Sequence, residues 1–260
     1  MKKLLTTIAV TALFCSFTFL PGDCKKIIFF TEGTATTMTS YNDDGKVTGS
    51  TKTTYTKVSK TAAGASVMAH QENFDKKGKP STVSDFMIKC DNGVLIFDMK
   101  MSMPQQQQDA YKDMEMTMEG NNLEYPSELV VGSSLKDADV KFTFKTKEGM
   151  VMPMSGLNIK ISNRKVEAKE SVTTPAGTFE CYKLSEFVET KTMFTIKAKS
   201  IIWFNYEVGT VKSESYKESG KFLGKSELTE IKNRSHSFYF SYSQVIFPSS
   251  PTTPILPSLS

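Results

Sequence analysis

The chain has 260 residues, with 32 lysines and arginines against 28 acids and a net charge of +4. Lys2 and Lys3 carry two of the positive charges at the N-terminus, and the other lysines are interspersed with glutamates, which leaves no basic stripe for nucleic acid. His70 and His236 are the only histidines, so any imidazole-based catalytic arrangement in the body of the sequence would depend on His70 alone.

Lys2 and Lys3 are followed by an apolar run from Leu4 to Leu20, which ends at Pro21 and Gly22. Residues 1–23 read as a secretory signal peptide. The run is slightly short for a membrane span and no later segment is apolar enough, so no transmembrane span is expected after signal cleavage. Phe14 precedes Cys15 and Asp23 precedes Cys24, where lipoprotein processing takes a small residue. The oxidising compartment implied by export makes one disulfide plausible among Cys24, Cys90 and Cys181. Cys24 and Cys90, each at a segment edge, are the favoured pair. Cys181 alternates with Phe179 and Lys183 and fits equally well as a small buried hydrophobe.

From residue 27 to 232 the pattern is strand after strand. GTATTMTSY and KVTGSTKTTYTKVS are joined by NDDG, a hairpin signal in which Asp43, Asp44 and Gly45 are turn residues rather than a calcium loop. GASVMAHQENF and STVSDFMIKC flank KKGKP, and GVLIFDMKMSM follows the turn at DN. In this last segment Leu95, Phe97, Met99, Met101 and Met103 alternate with Asp98, Lys100 and Ser102, which puts one apolar set on one face. PQQQQDAYKDM is the best helix candidate, with Pro104 suited to a first turn, and its shortness makes it a cap over a sheet. Met114, Met116 and Met118 then alternate with Glu115, Thr117 and Glu119, and Met150, Met152 and Met154 follow in MVMPM.

Three readings fit these methionines. They can fill a core, as a flexible side chain fills irregular gaps. They can line a pliable apolar cavity or groove for a lipid-like or amphiphilic ligand. Thioethers also suit Cu(I) or Ag(I), but His70 is the single histidine near them and Leu95 and Phe97 continue the same face as a core would.

LNIKIS leads through Asn163 and Arg164 into NRKVEAKESVTTPAGTFECYKLSEF, with a turn at Pro175–Gly177. MFTIKAKSIIWFNYE, VGTVKSESYKE and ESGKFLGKSELTEI complete the strand set. After Arg234 the chain changes to SHSFYFSYSQVIFPSSPTTPILPSLS, without acid or base, and residues 235–260 read as a low-complexity, disordered tail outside the fold.

TTPAGTFECYKLS, with GDCKKIIFFTEGTATTMTSYNDDGKVTGS before it and WFNYEVGTVKSESYKESGKFLGKSELTEI after it, resembles the TapB-like family of exported bacterial proteins, which is grouped with a domain of unknown function. The resemblance spans roughly residues 22–233 and implies an exported all-β domain with no catalytic residue to carry over. Family members usually stop near the LTEI strand, so the tail is a departure.

The expected fold is all-β. One antiparallel meander, residues 24–234, forms a curved sheet, barrel or sandwich with at most one short capping helix, and Trp203, Phe204 and Tyr206 approach the rim of its interior. The expected function is that of a non-enzymatic protein exported to the periplasm, outer membrane or exterior. It needs no cofactor, and an apolar ligand would lie against Met99, Met101, Met103, Met114, Met116, Met118, Met150, Met152 and Met154. The alternative is a structural or interaction protein of the envelope whose methionines are core and whose partner is another protein.

Overall fold

A computed structural model describes residues 27–61, 64–99, 115–145, 157–191 and 194–233. The helix expected over PQQQQDAYKDM, the signal segment and the tail lie outside these residues. Within them the helical residues are those of the 3-10 turn at Ile28–Phe30 and Met99. Thirteen antiparallel strands form one sheet. They are β1 (Ala35–Asn42), β2 (Val47–Lys60), β3 (Gly64–Asp75), β4 (Pro80–Asp91), β5 (Val94–Phe97), β6 (Glu115–Gly120), β7 (Leu123–Tyr125), β8 (Ala138–Lys145), β9 (Leu157–Thr174), β10 (Gly177–Lys191), β11 (Thr195–Asn205), β12 (Gly209–Lys217) and β13 (Phe222–Lys232).

The hairpins sit where the turn chemistry puts them. Asn42 and Lys46 close the NDDG turn, with Gly45 at φ 77°, a conformation that glycine adopts without steric cost. Asp75 fastens the KKGK turn by accepting from the Lys77 and Lys79 amides.

The spatial order is β6-β8-β9-β10-β11-β12-β13-β1-β2-β3-β4-β5-β7. Its two ends, β6 and β7, are consecutive in the chain and separated only by Asn121 and Asn122. The sheet therefore curls until its edges approach, yet it does not close into a hydrogen-bonded barrel. The result is a seam. Asn121 fixes one side of it: its side chain donates to the Asp137 carbonyl (2.7 Å) and accepts from the Asp139 amide (3.1 Å). From β7 the chain passes to β8 along the edge of β9, with the Gly132 amide donating to the Val166 carbonyl (2.8 Å) and the Leu135 amide to the Arg164 carbonyl (2.8 Å).

The interior of the curl holds the main core, with Phe29, Phe30, Ile88, Leu95, Tyr125, Val166, Leu184 and Phe204 buried together. Tyr125 stacks on Phe204 at 4.5 Å between ring centroids. A second cluster, around Cys181, Trp203, Val211 and Leu228, packs with Val172, Ala176 and Phe179 near the β9–β10 turn. Trp203 and Phe204 are neighbours on a strand and so project to opposite faces. Each is buried in a different cluster, so the end of β11 is covered on both sides. The rim position expected for these residues is accordingly revised: Phe204 is central, Trp203 belongs to the second cluster, and Tyr206 donates its hydroxyl hydrogen to the Pro126 carbonyl.

Candidate functional site

Of the expected methionine set, Met99, Met116 and Met118 fall on described backbone, whereas Met101, Met103, Met114, Met150, Met152 and Met154 lie outside the described residues, as does Cys24. Met99 follows β5, and its amide donates to the Asn122 side chain at 3.3 Å, which ties it to the linker that joins the two sheet edges. Met118 is in register with Phe142 and Met116 with Phe144. The backbone at Met99 and strand β6 thus both border the seam.

The register extends this face across four strands. Directly paired residues share a face, and the pairs run from Phe142 to Leu157 and from Val140 to Ile159 across β8–β9, then from Ile161 to Val188 across β9–β10. On β11, Ala198 faces Val188 and Ile196 faces Thr190. All of these positions except Thr190 are apolar. Phe142 and Val140 are fully buried, Leu157, Ile159 and Val188 are half-buried, and Ile196 is 67% exposed. The face therefore grades from closed to open across the sheet.

At the inner end of this face, between the Ile161–Val188 pair and the Val166–Leu184 pair, Asn163 and Arg164 together oppose the single residue Glu186. This is a β-bulge, with Asn163 at φ 53°, a left-handed conformation that asparagine tolerates better than most residues. The Arg164 side chain is 1% exposed and that of Glu186 6%. Arg164 Nε donates to Glu186 Oε2 at 3.3 Å, while Nη1 donates to the carbonyls of Glu124 (3.0 Å) and Lys136 (2.6 Å). The guanidinium carbon lies 4.9 Å from the Tyr125 ring centroid. Since Glu124 belongs to β7 and Lys136 leads into β8, one side chain fastens both sides of the seam from within.

The electrostatics follow from burial. Glu186 is pushed above the usual carboxylate range because desolvation outweighs the favourable charge and hydrogen bond of Arg164. Burial, aided by the Glu186 charge, likewise raises the Tyr125 hydroxyl, with the charge of Arg164 and a hydrogen bond from it opposing. Arg164 Nη2 is buried with no hydrogen-bond partner among the described residues, an unusual state for a guanidinium nitrogen.

Sequence reasoning assigned Arg164 and Glu186 no role. The available signal was Glu186 itself, an acid in the same alternating phase as Tyr182, Leu184 and Val188.

The remaining candidates are simpler. His70 lies on β3 with its side chain 41% exposed, and its Nδ1 is 2.8 Å from Asp85 Oδ1 across the strand pair. Cys181 is buried and free, with burial pushing its thiol up to about 11 and the Glu180 and Glu170 charges adding to the effect. Cys90 is disulfide-bonded. No cluster of three His, Cys, Asp or Glu side chains that could hold a metal occurs among the described residues. No helix among them is long and apolar enough to cross a membrane.

A family model described as DUF3108-like matches residues 31–228. The fold is shared with a crystal structure from Bacteroides fragilis described as a "putative exported protein with YmcC-like fold", at 24% identity and a TM-score of 0.61, covering 78% of this chain and 96% of that one. It is shared equally with a "putative lipoprotein" from Parabacteroides distasonis, at 23% identity and a TM-score of 0.62, covering 81% of this chain and 100% of that one. The comparison with curated proteins gives no match.

Proposed function

This chain belongs to the DUF3108-like family, and we propose that it acts as a non-enzymatic, TapB-like protein of the cell envelope that holds an apolar or amphiphilic ligand against a methionine-bearing face of its curled sheet. The family description carries no catalytic assignment. Export is supported by the leader-like residues 1–23 and by the descriptions of the two fold relatives as exported protein and lipoprotein. The destination is the periplasm, the outer membrane or the exterior.

The observation that carries the ligand reading is the register of β6 on β8. It sets Met116 and Met118 across from phenylalanines of a face that continues through Leu157, Ile159 and Val188 to the exposed Ile196. An apolar face left open at one end is costly to hydrate, by about 25 cal/mol for each Å2 of apolar surface, and a bound apolar chain removes that cost. Methionine suits such a surface because its unbranched side chain repacks around different partners.

Native mass spectrometry of protein purified gently from its own envelope, followed by extraction, tests the reading. A copurifying apolar molecule is expected, and it should be lost when Met101 and Met116 are changed to lysine in a protein that still folds. Bound copper or silver would replace this reading with a thioether metal site. Bare protein would instead favour a methionine core and a protein partner on the outer surface.

A further inference from the structure

We propose that Arg164 and Glu186 form a head-group site at the inner end of the apolar face, which selects a single-chain amphiphile whose head offers both a hydrogen-bond acceptor and a donor. This rests on the apolar-face reading and specifies its ligand. Arg164 has committed Nε to Glu186 and Nη1 to two carbonyls and lies beside the Tyr125 hydroxyl, and its buried Nη2 has no hydrogen-bond partner within bonding geometry among the described residues. A charged donor left unpaired in an apolar interior is destabilising, and an acceptor oxygen delivered by a ligand removes that penalty.

Glu186 supplies the complementary partner. It accepts one hydrogen bond from Arg164 at Oε2 and keeps 6% of its side chain accessible. Burial also favours its protonated form, so it can share a proton with a second carboxyl group. A carboxylic acid or an alcohol satisfies both sides of the pair, accepting from Nη2 and engaging Glu186. A quaternary ammonium head, with neither acceptor nor donor, leaves Nη2 unpaired and places a second cation beside the guanidinium.

The tail has a matching track. From Glu186 the face passes Val188 and Ile161, then Thr190 and Ile159, and opens at Ile196. Four residues along β10 at roughly 3.3 Å each cover about 13 Å, close to the length of an extended dodecyl chain.

The test compares dodecanoic acid, dodecanol and dodecyltrimethylammonium, each below its aggregation concentration, by calorimetric titration into the full-length mature protein. The acid and the alcohol are expected to bind one per chain and at least tenfold tighter than the ammonium compound. Arg164→Lys, which keeps the charge but removes Nη2, is expected to erase that preference. If this variant fails to fold, the Arg164 Nε–H resonance of the unaltered protein reads the same contact, shifting with dodecanoic acid and not with the ammonium analogue. Equal binding of all three compounds overturns the head-group site and leaves the apolar face standing. Failure of all three to bind overturns the apolar-face reading itself.

Discussion

Replacing Arg164 with methionine removes the side chain that spans the seam while keeping most of its volume. The change strands three groups at once: the Glu186 carboxylate loses the Nε–H bond at 3.3 Å, and the carbonyls of Glu124 and Lys136 lose Nη1 at 3.0 and 2.6 Å. Breaking a buried pair from one side costs about 3–5 kcal/mol because the surviving charge is left uncompensated. Protonation of Glu186, whose pKa burial already raises, relieves part of this, so the lower half of the range is expected near neutral pH. With a urea m-value of about 2–3 kcal/mol/M, the upper part of the usual range as suits a large domain, the unfolding midpoint should fall by about 1–2 M. Trp203, the only tryptophan, is buried in the second cluster with its Nε1–H donated to Glu170 at 2.6 Å, and it reports global unfolding by fluorescence. The double variant Arg164→Met/Glu186→Leu should recover much of the loss, since an apolar pair of similar volume needs no counter-charge. A midpoint shift below about 0.3 M for the single variant would refute the clamp, because a side chain bonded across both edges cannot be removed so cheaply.

The remaining expectations probe other parts of the fold. Peptide mapping without reductant should find Cys90 joined to Cys24, closing a loop for which chain entropy gives about 4 kcal/mol of stabilisation; a Cys15–Cys90 link or an alkylated Cys24 would count against this pairing. Cys181, buried and free, should resist maleimide until urea unfolds the chain. Gly120→Ala should cost well over the roughly 1 kcal/mol expected for Gly45→Ala, because a Cβ at 120 would stand 1.9 Å from the Asp139 carbonyl oxygen, whereas nothing lies within 4 Å at Gly45. Equal melting temperatures for the two variants would contradict the close β6–β8 approach. The raised pKa of Glu186 sets a sign for pH dependence: its contribution to stability is fully present below the unfolded value of 4.5 and is lost as pH rises through the folded value. Glu186→Gln should flatten that decline, and parallel stability curves for the two proteins would show that Glu186 does not titrate as its burial dictates.

Local signals carried most of the strand assignments. Alternation and turn residues suffice for the β1–β2 and β3–β4 hairpins because each has a compact polar turn, capped by the side chain of Asn42 or Asp75. The curl of the sheet was harder to read. Nothing in Gly120–Leu123 signals that the strands on either side of Asn121 and Asn122 pair at opposite ends of the strand order, since that depends on every other strand being placed first. The methionine alternation located β6 but could not show which strand it meets. That partner is β8, whose Phe142 lies in the less conspicuous segment VKFTFKTKE. Arg164 was missed for a related reason: a single bulge residue shifts the phase of a strand, so a period-two reading that continues through Asn163 places the arginine on the wrong face.

The same bulge connects the architecture to the proposed site. In a strand of regular pleat, Ile161 and Val166 would lie on opposite faces, yet both pair with inward positions of β10, Val188 and Leu184. The extra residue at Asn163–Arg164 restores the inward phase of β9 beyond it and leaves a guanidinium between two apolar rows. Closing the seam by a continuous ladder would have made an inward charge there unnecessary. Because β6 and β7 do not pair, the edges are held by side chains, from Asn121 on one side and Arg164 within. Such a closure is confined to a few bonds rather than distributed along a strand. A polar clamp with one donor unspent, set where an apolar face begins, thus serves stability and recognition through the same atoms.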